Sequence, residues 1–265
     1  MIPIARDLVR TFVDRRLVVW ATALSYNALW SLPPLALLLL ALAGFFDLEG
    51  AWQDHLGPDV RNRVTPQAWE ALDSTADRIL GSPHVAWVVV GLVLATWHVS
   101  ALVRAASGAL DSIFGSDEPR ASGERLWKSI AVALAVIALI SLAVLAVVGG
   151  RLIEWHGFGG VLLAVGRWLA AAVVMWGLLA ILIRTAPAAS PHARWVSIGA
   201  GLAIGGWIAA SIVFGLYVGY LADFRSPYGN LVSVMVLMAY VYWLSIAFLV
   251  GVLVDAELAE RSSSG

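Results

Sequence analysis

The sequence predicts an all-α polytopic membrane protein: six transmembrane helices, with one amphipathic extracytoplasmic helix between spans 1 and 2. Three observations lead to this fold class. Hydrophobic residues make up 60% of the 265 residues and charged residues only 13%, about half the share of a soluble domain. The apolar residues form six runs, each long enough to cross about 30 Å of hydrocarbon as a helix. The Arg and Lys residues concentrate on one side of these runs.

The six runs, numbered here as spans 1 to 6, cover residues 21–46, 85–107, 129–149, 160–183, 196–220 and 229–254. Their length favours helices over the shorter, alternating strands of a membrane barrel. Span 1 exceeds the apolar part of a signal peptide, although the sequence Ala41-Leu42-Ala43 resembles a cleavage site. We therefore expect a retained first span and a single membrane domain over residues 1–265.

The distribution of positive charge predicts the orientation. Eleven of the seventeen Lys and Arg residues lie on the side of both termini, five lie on the other side, and Arg167 falls within span 4. Because positively charged loops remain in the cytoplasm, we expect both termini there. The net charge of −1 gives no basic field that would attract nucleic acid.

Span 1 carries polar residues and two prolines where a spanning helix is normally apolar. The stretch LSYNALWSLPPLALLLL contains Tyr26, Asn27 and Ser31, followed by Pro33 and Pro34. The prolines lack N–H groups, so two backbone carbonyls lose their usual donors, which is unfavourable in lipid by several kcal/mol. Two interpretations stay open: a kinked interior helix held by interhelical hydrogen bonds, or a kink that lines a cavity for something polar.

Residues 47–84 form the longest extracytoplasmic segment and contain the predicted amphipathic helix. In TPQAWEALDSTADRILG, Thr65 suits the N-cap, Pro66 the first helical position and Gly81 the C-terminal cap. One apolar stripe consists of Trp69, Leu72, Ala76, Ile79 and Leu80. The helix either lies on the membrane surface or caps the bundle, or it serves as a lid or docking surface for an envelope protein partner.

Span 5 carries two rows of small residues at four-residue spacing. Gly201 and Gly205 belong to one row, and Gly215 and Gly219 belong to the other. Such rows let helix backbones approach closely. They predict packing within the bundle or self-association through a homodimer face, with a sliding, gated helix as the alternative.

Ionisable residues in or beside the spans are candidates for a cavity or substrate-binding site. They are His98 in span 2, Arg104 at its cytoplasmic boundary, Arg167 in span 4 and Arg184 after it. Each has a structural alternative, because arginine can anchor a helix at the interface and His98 can be satisfied in the interior. Aromatic residues of spans 5 and 6, including Tyr240 and Trp243, are expected in interfacial belts or in packing.

Known catalytic motifs do not occur in the sequence. There is no P-loop, H-E-x-x-H or G-x-S-x-G motif, and no cysteine. None of the five histidines lies within five residues of another, so no local metal site is evident. We therefore expect no catalytic residue, no metal and no cofactor, and a protein that is not an enzyme.

Four stretches together resemble the YihY/virulence factor BrkB family of bacterial inner-membrane proteins. The first is the span 1 sequence ALSYNALWSLPPLALLLLALAG, and the others are GALDSIFG, RTAPAASPHARW and the segment from SPYGNL to VDAEL. Asp111 and Asp255 stand where the family usually has Asn. The resemblance covers nearly the whole chain and implies six membrane helices, an inner-membrane location and contact with membrane lipids.

The resemblance implies no established molecular activity. Some members are associated with envelope lipid homeostasis, which favours binding or transport of a lipid-like envelope molecule. A non-catalytic scaffold that docks envelope partners is the alternative. Other members carry the label ribonuclease BN, but the clustered His and Asp ligands of a metal-dependent nuclease are not evident in this sequence.

Overall fold

The structure is a computed structural model that describes residues 10–46, 52–53, 57–61, 66–81, 84–114, 122–149, 166, 198–217 and 229–263. A short helical turn at residues 10–14 comes first. The helices that follow within these ranges are α1 Leu17–Phe45, α2 Gly57–Arg61, α3 Pro66–Leu80, α4 His84–Phe114, α5 Ser122–Gly149, α6 Ile198–Leu216 and α7 Gly229–Ser263. The predicted all-α fold class is confirmed.

Five of the described helices are long and apolar enough to cross a membrane, namely α1, α4, α5, α6 and α7. They correspond to predicted spans 1, 2, 3, 5 and 6. These segments form helices because a helix satisfies its backbone N–H and C=O groups internally, as a hydrocarbon environment requires. Predicted span 4, residues 160–183, lies outside the described residues, so the count of six stays a prediction.

Three helices continue beyond the apolar runs on the side predicted to be cytoplasmic. Helix α4 ends at Phe114 rather than near 107, α5 begins at Ser122 rather than near 129, and α7 runs to Ser263 rather than near 254. Apolar composition marks only the part of a helix that lies in hydrocarbon. Backbone hydrogen bonding continues into polar residues such as Glu124 and Glu257.

Contacts divide the chain into two compact units. The first comprises Met1–Trp30, Ala101–Ser129 and Leu182–Gly265, and the second comprises Ser31–Ser100 and Ile130–Ile181. The division falls within α1, α4 and α5. The single membrane domain expected from the sequence stays a prediction.

The first unit contains an apolar core to which α1, α4 and α7 contribute. Its buried members are small or aliphatic: Leu17, Ala21, Leu24, Ala105, Ala106, Ala109, Ile113, Leu249, Leu253 and Ala256. Alanines supply half of this set, and their short side chains let helix backbones pack closely.

Glycines of α4 permit close approach to α1 within each unit. In the first unit, Trp20 covers Gly108, where an added methyl group would stand 2.6 Å from Cζ3 of the indole ring and closer still to Cη2. In the second unit, a methyl group at Gly91 would stand 2.9 Å from the Cα atom of Leu38. The first obstacle is the outer edge of a side chain, whereas the second is backbone.

In the second unit, α3 has the amphipathic character that the sequence predicts. The helix begins at Pro66, and Ala76, Ile79 and Leu80 are buried on one stripe. Gly81 N donates to the carbonyl oxygen of Asp77 at 2.8 Å, which closes the last turn. The residue predicted as the N-cap, at position 65, lies outside the described residues.

Trp52, in the segment before α3, packs against Trp69 of α3. The rings of Trp52 and Trp69 stack with centroids 6.1 Å apart and planes 8° apart. Trp52 Nε1 donates to Asp73 Oδ1 at 3.2 Å. This contact orients α3 through both a ring stack and a hydrogen bond.

Candidate functional site

Helix α1 is continuous through Pro33 and Pro34 and presents two different faces at the proline pair. Ser31 is 4% exposed and Pro34 is buried, so this face points inward. Tyr26 is 55% exposed and Pro33 is exposed, so that face points outward. Tyr26 is therefore exposed and Ser31 is buried, and the place of both in a cavity stays a prediction. The kink predicted at the pair stays a prediction.

The polar side chains before the prolines donate hydrogen bonds backwards along α1. Asn27 Nδ2 donates to the Ala23 carbonyl at 2.7 Å. Thr22 Oγ1 donates to the Val18 carbonyl at 3.0 Å, and Ser25 Oγ donates to the Thr22 carbonyl at 3.0 Å. Helical side chains lean toward the N-terminus, so these donors reach carbonyls upstream of the two that the prolines release. Asn27 thus stabilises the helical turn before the proline pair.

The two candidate ionisable residues of α4 have different surroundings. The Nδ1 atom of His98 lies 2.9 Å from the carbonyl oxygen of Leu94 in its own helix. Arg104 is half-buried, and its Nη1 donates to Ser129 Oγ of α5 at 3.3 Å. Ser129 is buried and donates to the Leu126 carbonyl at 2.8 Å. Arg104 therefore links α4 to α5 where both apolar runs end.

The structure locates five of the seven candidate site residues. Arg167 and Arg184 lie outside the described residues, so their roles stay predictions. Of the five that are located, Tyr26, Asn27 and Arg104 belong to the first unit. Ser31 and His98 belong to the second. Their joint function as one site also stays a prediction.

Helix α6 packs against α7 through a row of small residues. Gly199 faces Gly251, and a methyl group at Gly251 would stand 2.9 Å from the Cβ atom of Ala203. One turn further, a methyl group at Gly206 would stand 2.7 Å from the Cβ atom of Ala247. The row on α6 therefore has spacings of four and three residues, as expected for one face of a helix.

Three of the four glycines that the sequence predicts for close packing lie elsewhere on α6. At Gly201, Gly205 and Gly215, a methyl group would meet nothing within 4 Å in the part of the chain that the structure describes. Gly219 lies outside that part. Close packing at these four positions therefore stays a prediction. The contact row was missed because glycine and alanine occupy several faces of α6, so spacing alone does not select one.

Two polar contacts satisfy helix ends in the first unit, and neither has a local sequence signal. Asp255 Oδ1 accepts a hydrogen bond from Gly199 N at 2.8 Å, in the first turn of α6, where N–H groups lack intrahelical partners. Arg15 Nη1 donates to the Ser112 carbonyl at 2.9 Å and also to that of Ile113, in the last turn of α4. Both charges have the sign that the helix dipole favours.

The described helices, their apolar length and their interior contacts define a polytopic all-α membrane protein. Within that class, residues 8–265 match the family described as Virulence factor BrkB, and the chain belongs to this family. The family resemblance inferred from the four sequence stretches is thereby confirmed. No solved structure matches the chain.

Relatives of known name include a ribonuclease-like protein, YfkH, from Bacillus subtilis, which is 27% identical over 246 residues. That alignment covers 90% of this chain and 88% of the relative. A UPF0761 membrane protein of Xanthomonas campestris is 26% identical over 267 residues, covering 98% of this chain and 60% of the relative. A UPF0761 membrane protein of Stenotrophomonas maltophilia is 24% identical over 281 residues. The chain thus spans about three fifths of the UPF0761 relatives, and these names describe membrane proteins without a stated activity.

Proposed function

We propose that the chain binds or moves an amphipathic, lipid-like molecule of the cell envelope within the membrane. One observation carries the proposal: a polar residue and a proline that lacks an N–H group lie together on the inward face of α1. Ser31 is the central residue of α1, and both Ser31 and Pro34 are buried. Pro34 has no N–H group to donate to the Trp30 carbonyl.

Polar groups at mid-span are unfavourable in a purely apolar interior. Their inward placement is therefore expected where a helix interior must accommodate a polar part of a ligand, as in transporters built on broken helices. The guanidinium of Arg104, held against Ser129 near the predicted cytoplasmic boundary, adds a fixed positive charge. Such a charge suits the phosphate of an anionic lipid headgroup.

Reconstitution tests this function. The purified protein is placed in liposomes that contain a headgroup-labelled phospholipid, and movement of the label between leaflets is followed with an impermeant quencher. We expect movement well above protein-free liposomes, and a reduced rate in Ser31→Ala, Asn27→Leu and Arg104→Ala. A variant on the outward face, Val19→Leu, serves as the control.

The outcomes separate the site from the function. If wild-type protein neither moves nor retains lipid, the proposed function is wrong. If it moves lipid and the three variants match the control in rate and stability, the function stands and the choice of residues is wrong.

The scaffold alternative requires an apolar docking surface on the extracytoplasmic segment. Ala76, Ile79 and Leu80, which form most of the apolar stripe of α3, are buried within the protein. Only Leu72 of that stripe is among the strongly exposed hydrophobic residues of the described part of α3. This observation favours the lipid-binding function over docking through α3. YfkH carries the name ribonuclease-like protein. A metal-dependent nuclease needs clustered metal ligands, and the described residues contain no group of three side chains that could hold a metal ion.

We also propose that the protein lies in the bacterial inner membrane with both termini in the cytoplasm, as its charge distribution favours. The sequence has no cysteine, so single cysteines report topology cleanly. An impermeant maleimide applied to intact spheroplasts should label Ser74→Cys on α3 and leave Ser262→Cys on α7 unlabelled until the membrane is opened. The reverse pattern would invert the orientation.

A further inference from the structure

Two donor side chains meet on the α6–α7 pair, and a third lies about one turn further along α7. Ser211 Oγ and Tyr240 OH are 2.9 Å apart, and one hydroxyl donates to the other. Trp243 follows Tyr240 by three residues on α7, so the two side chains occupy neighbouring positions on one helix face. We call Ser211, Tyr240 and Trp243 the hydroxyl–indole patch.

Two hydrogen-bond donors of the patch have no acceptor among the described residues. A pair of hydroxyls has two hydrogens and uses one between them, so one O–H remains. The indole N–H of Trp243 has no acceptor in the part of the chain that the structure describes, and the side chain is 61% exposed. By contrast, Trp207 of α6 donates its indole N–H to the Leu244 carbonyl at 2.9 Å.

Uncharged runs in the sequence indicate that the patch lies near the middle of the membrane. In sequence, Tyr240 is fifteen residues from the nearest charge on either side, Arg225 and Asp255. Ser211 and Trp243 lie within about 5 Å, measured along their helices, of the middle of their own uncharged runs. The hydrocarbon core extends about 15 Å on each side of its centre. The expectation that Tyr240 and Trp243 lie in interfacial belts or in packing stays a prediction.

Donors at this depth meet no partner in a resting bilayer. A lipid in either leaflet presents only its chains at mid-depth, and an unmatched N–H or O–H in hydrocarbon is unfavourable by several kcal/mol. Acceptors reach this depth only when the polar end of a lipid does. We propose that the hydroxyl–indole patch binds the phosphate or ester oxygens of a membrane lipid whose polar end has entered the membrane interior.

This inference rests on the proposed function and adds a place and a chemistry to it. The patch is an outward-facing surface of α6 and α7, distinct from the inward face of α1. It would stabilise the polar end of the lipid midway between the leaflets. It recognises acceptor oxygens rather than a particular headgroup.

Photolabelling of the full chain in liposomes tests the inference. One phospholipid probe carries a diazirine beside the phosphate, and a second carries it at the end of an acyl chain. We expect the first probe to label residues around 236–247 in wild-type protein. Trp243→Phe removes the indole donor, and Ser211→Ala with Tyr240→Phe removes the remaining hydroxyl donor, so the triple variant should reduce that labelling by about five-fold for each donor lost. Tyr240→Phe retains the ring that stacks on Phe214 with centroids 4.5 Å apart, so packing is preserved.

Controls separate the possible outcomes. The chain-end probe should label this region equally in wild-type and variant protein, and Met235→Leu, an exposed α7 residue off the patch, should behave as wild type. Labelling by a diether phospholipid probe, whose chains carry no ester, would show that the patch binds the phosphate. Labelling by a diacylglycerol probe, which has no phosphate, would show that the patch binds the ester oxygens. Phosphate-proximal labelling confined to helix ends, labelling unchanged in the triple variant, or crosslinks between two protein copies at the patch would overturn the inference. Lipid movement without labelling at the patch would reject this inference alone. Absence of both lipid movement and lipid retention would reject the proposed function.

Discussion

Replacing Gly199 by alanine should weaken the α6–α7 pair, and replacing Gly201 should not. A methyl group at Gly199 would stand 2.5 Å from Asp255 Cγ and closer still to the Gly251 carbonyl oxygen. Ordinary contact begins at 3.4 Å, so the helices must separate by at least about 0.9 Å there. At Gly201, two residues further along α6, nothing described lies within 4 Å of the added methyl group.

The magnitude follows from two effects at Gly199. Overpacking of a close contact is unfavourable by about 1–3 kcal/mol. Separation also strains the 2.8 Å hydrogen bond from Gly199 N to Asp255 Oδ1, which contributes about 1 kcal/mol. We expect Gly199→Ala to lower the free energy of unfolding by about 2–4 kcal/mol. Gly201→Ala should raise it by up to about 1 kcal/mol, because alanine is the better helix former.

Reversible unfolding of the purified variants in mixed detergent micelles measures the difference. The double variant Gly199→Ala with Gly251→Ala should lose less than the sum of the single losses, since both methyl groups separate the same backbones. Equal stability of Gly199→Ala and Gly201→Ala would refute the assignment of the contact row.

Other contacts give further expectations. Asp255→Leu should lower the free energy of unfolding by about 0.5–2 kcal/mol through loss of the α6 cap, whereas Asp255→Asn, which keeps an acceptor oxygen, should lose less; thermal unfolding distinguishes them. Arg15→Gln should destabilise the last turn of α4, seen as faster hydrogen exchange there, and unchanged exchange would argue against this cap. Gly108→Ala should be destabilising but partly rescued by Trp20→Leu, because its obstacle is a ring edge. Gly91→Ala meets backbone, so shortening a facing side chain of α1 should give no comparable rescue in the same melting assay.

Fold class and helix positions followed from the sequence because hydrocarbon imposes strong constraints on composition. Each apolar run that the structure describes is a helix, and the amphipathic pattern after Pro66 identified α3. Helix ends were less predictable. The last turn of α7 consists of polar residues, and the last turn of α4 contains Asp111 and Ser112. Their helical state depends on backbone hydrogen bonds and on distant caps, such as Arg15 at the end of α4.

Tertiary contacts were the least predictable feature. Periodicity showed that α6 is rich in small residues, but only the structure distinguishes the Gly199–Ala203–Gly206 face from the face of Gly201 and Gly205. The same limit applies to the hydroxyl–indole patch. Ser211 and Tyr240 lie 29 residues apart on two helices, and no local motif indicates that they meet.

Helix α7 has a mechanical consequence because it is one uninterrupted rod of 35 residues, about 52 Å long at 1.5 Å per residue. Its close contact with α6 at Gly251 would be the fulcrum of a rigid tilt of α7. Trp243 lies about 12 Å from that fulcrum on one arm, and Ser263 lies about 18 Å away on the other. A tilt of about 5° that displaces the indole by roughly 1 Å would swing the far end by roughly 1.6 Å, by the same rise per residue. Lipid bound at the hydroxyl–indole patch would thus displace the opposite end of α7.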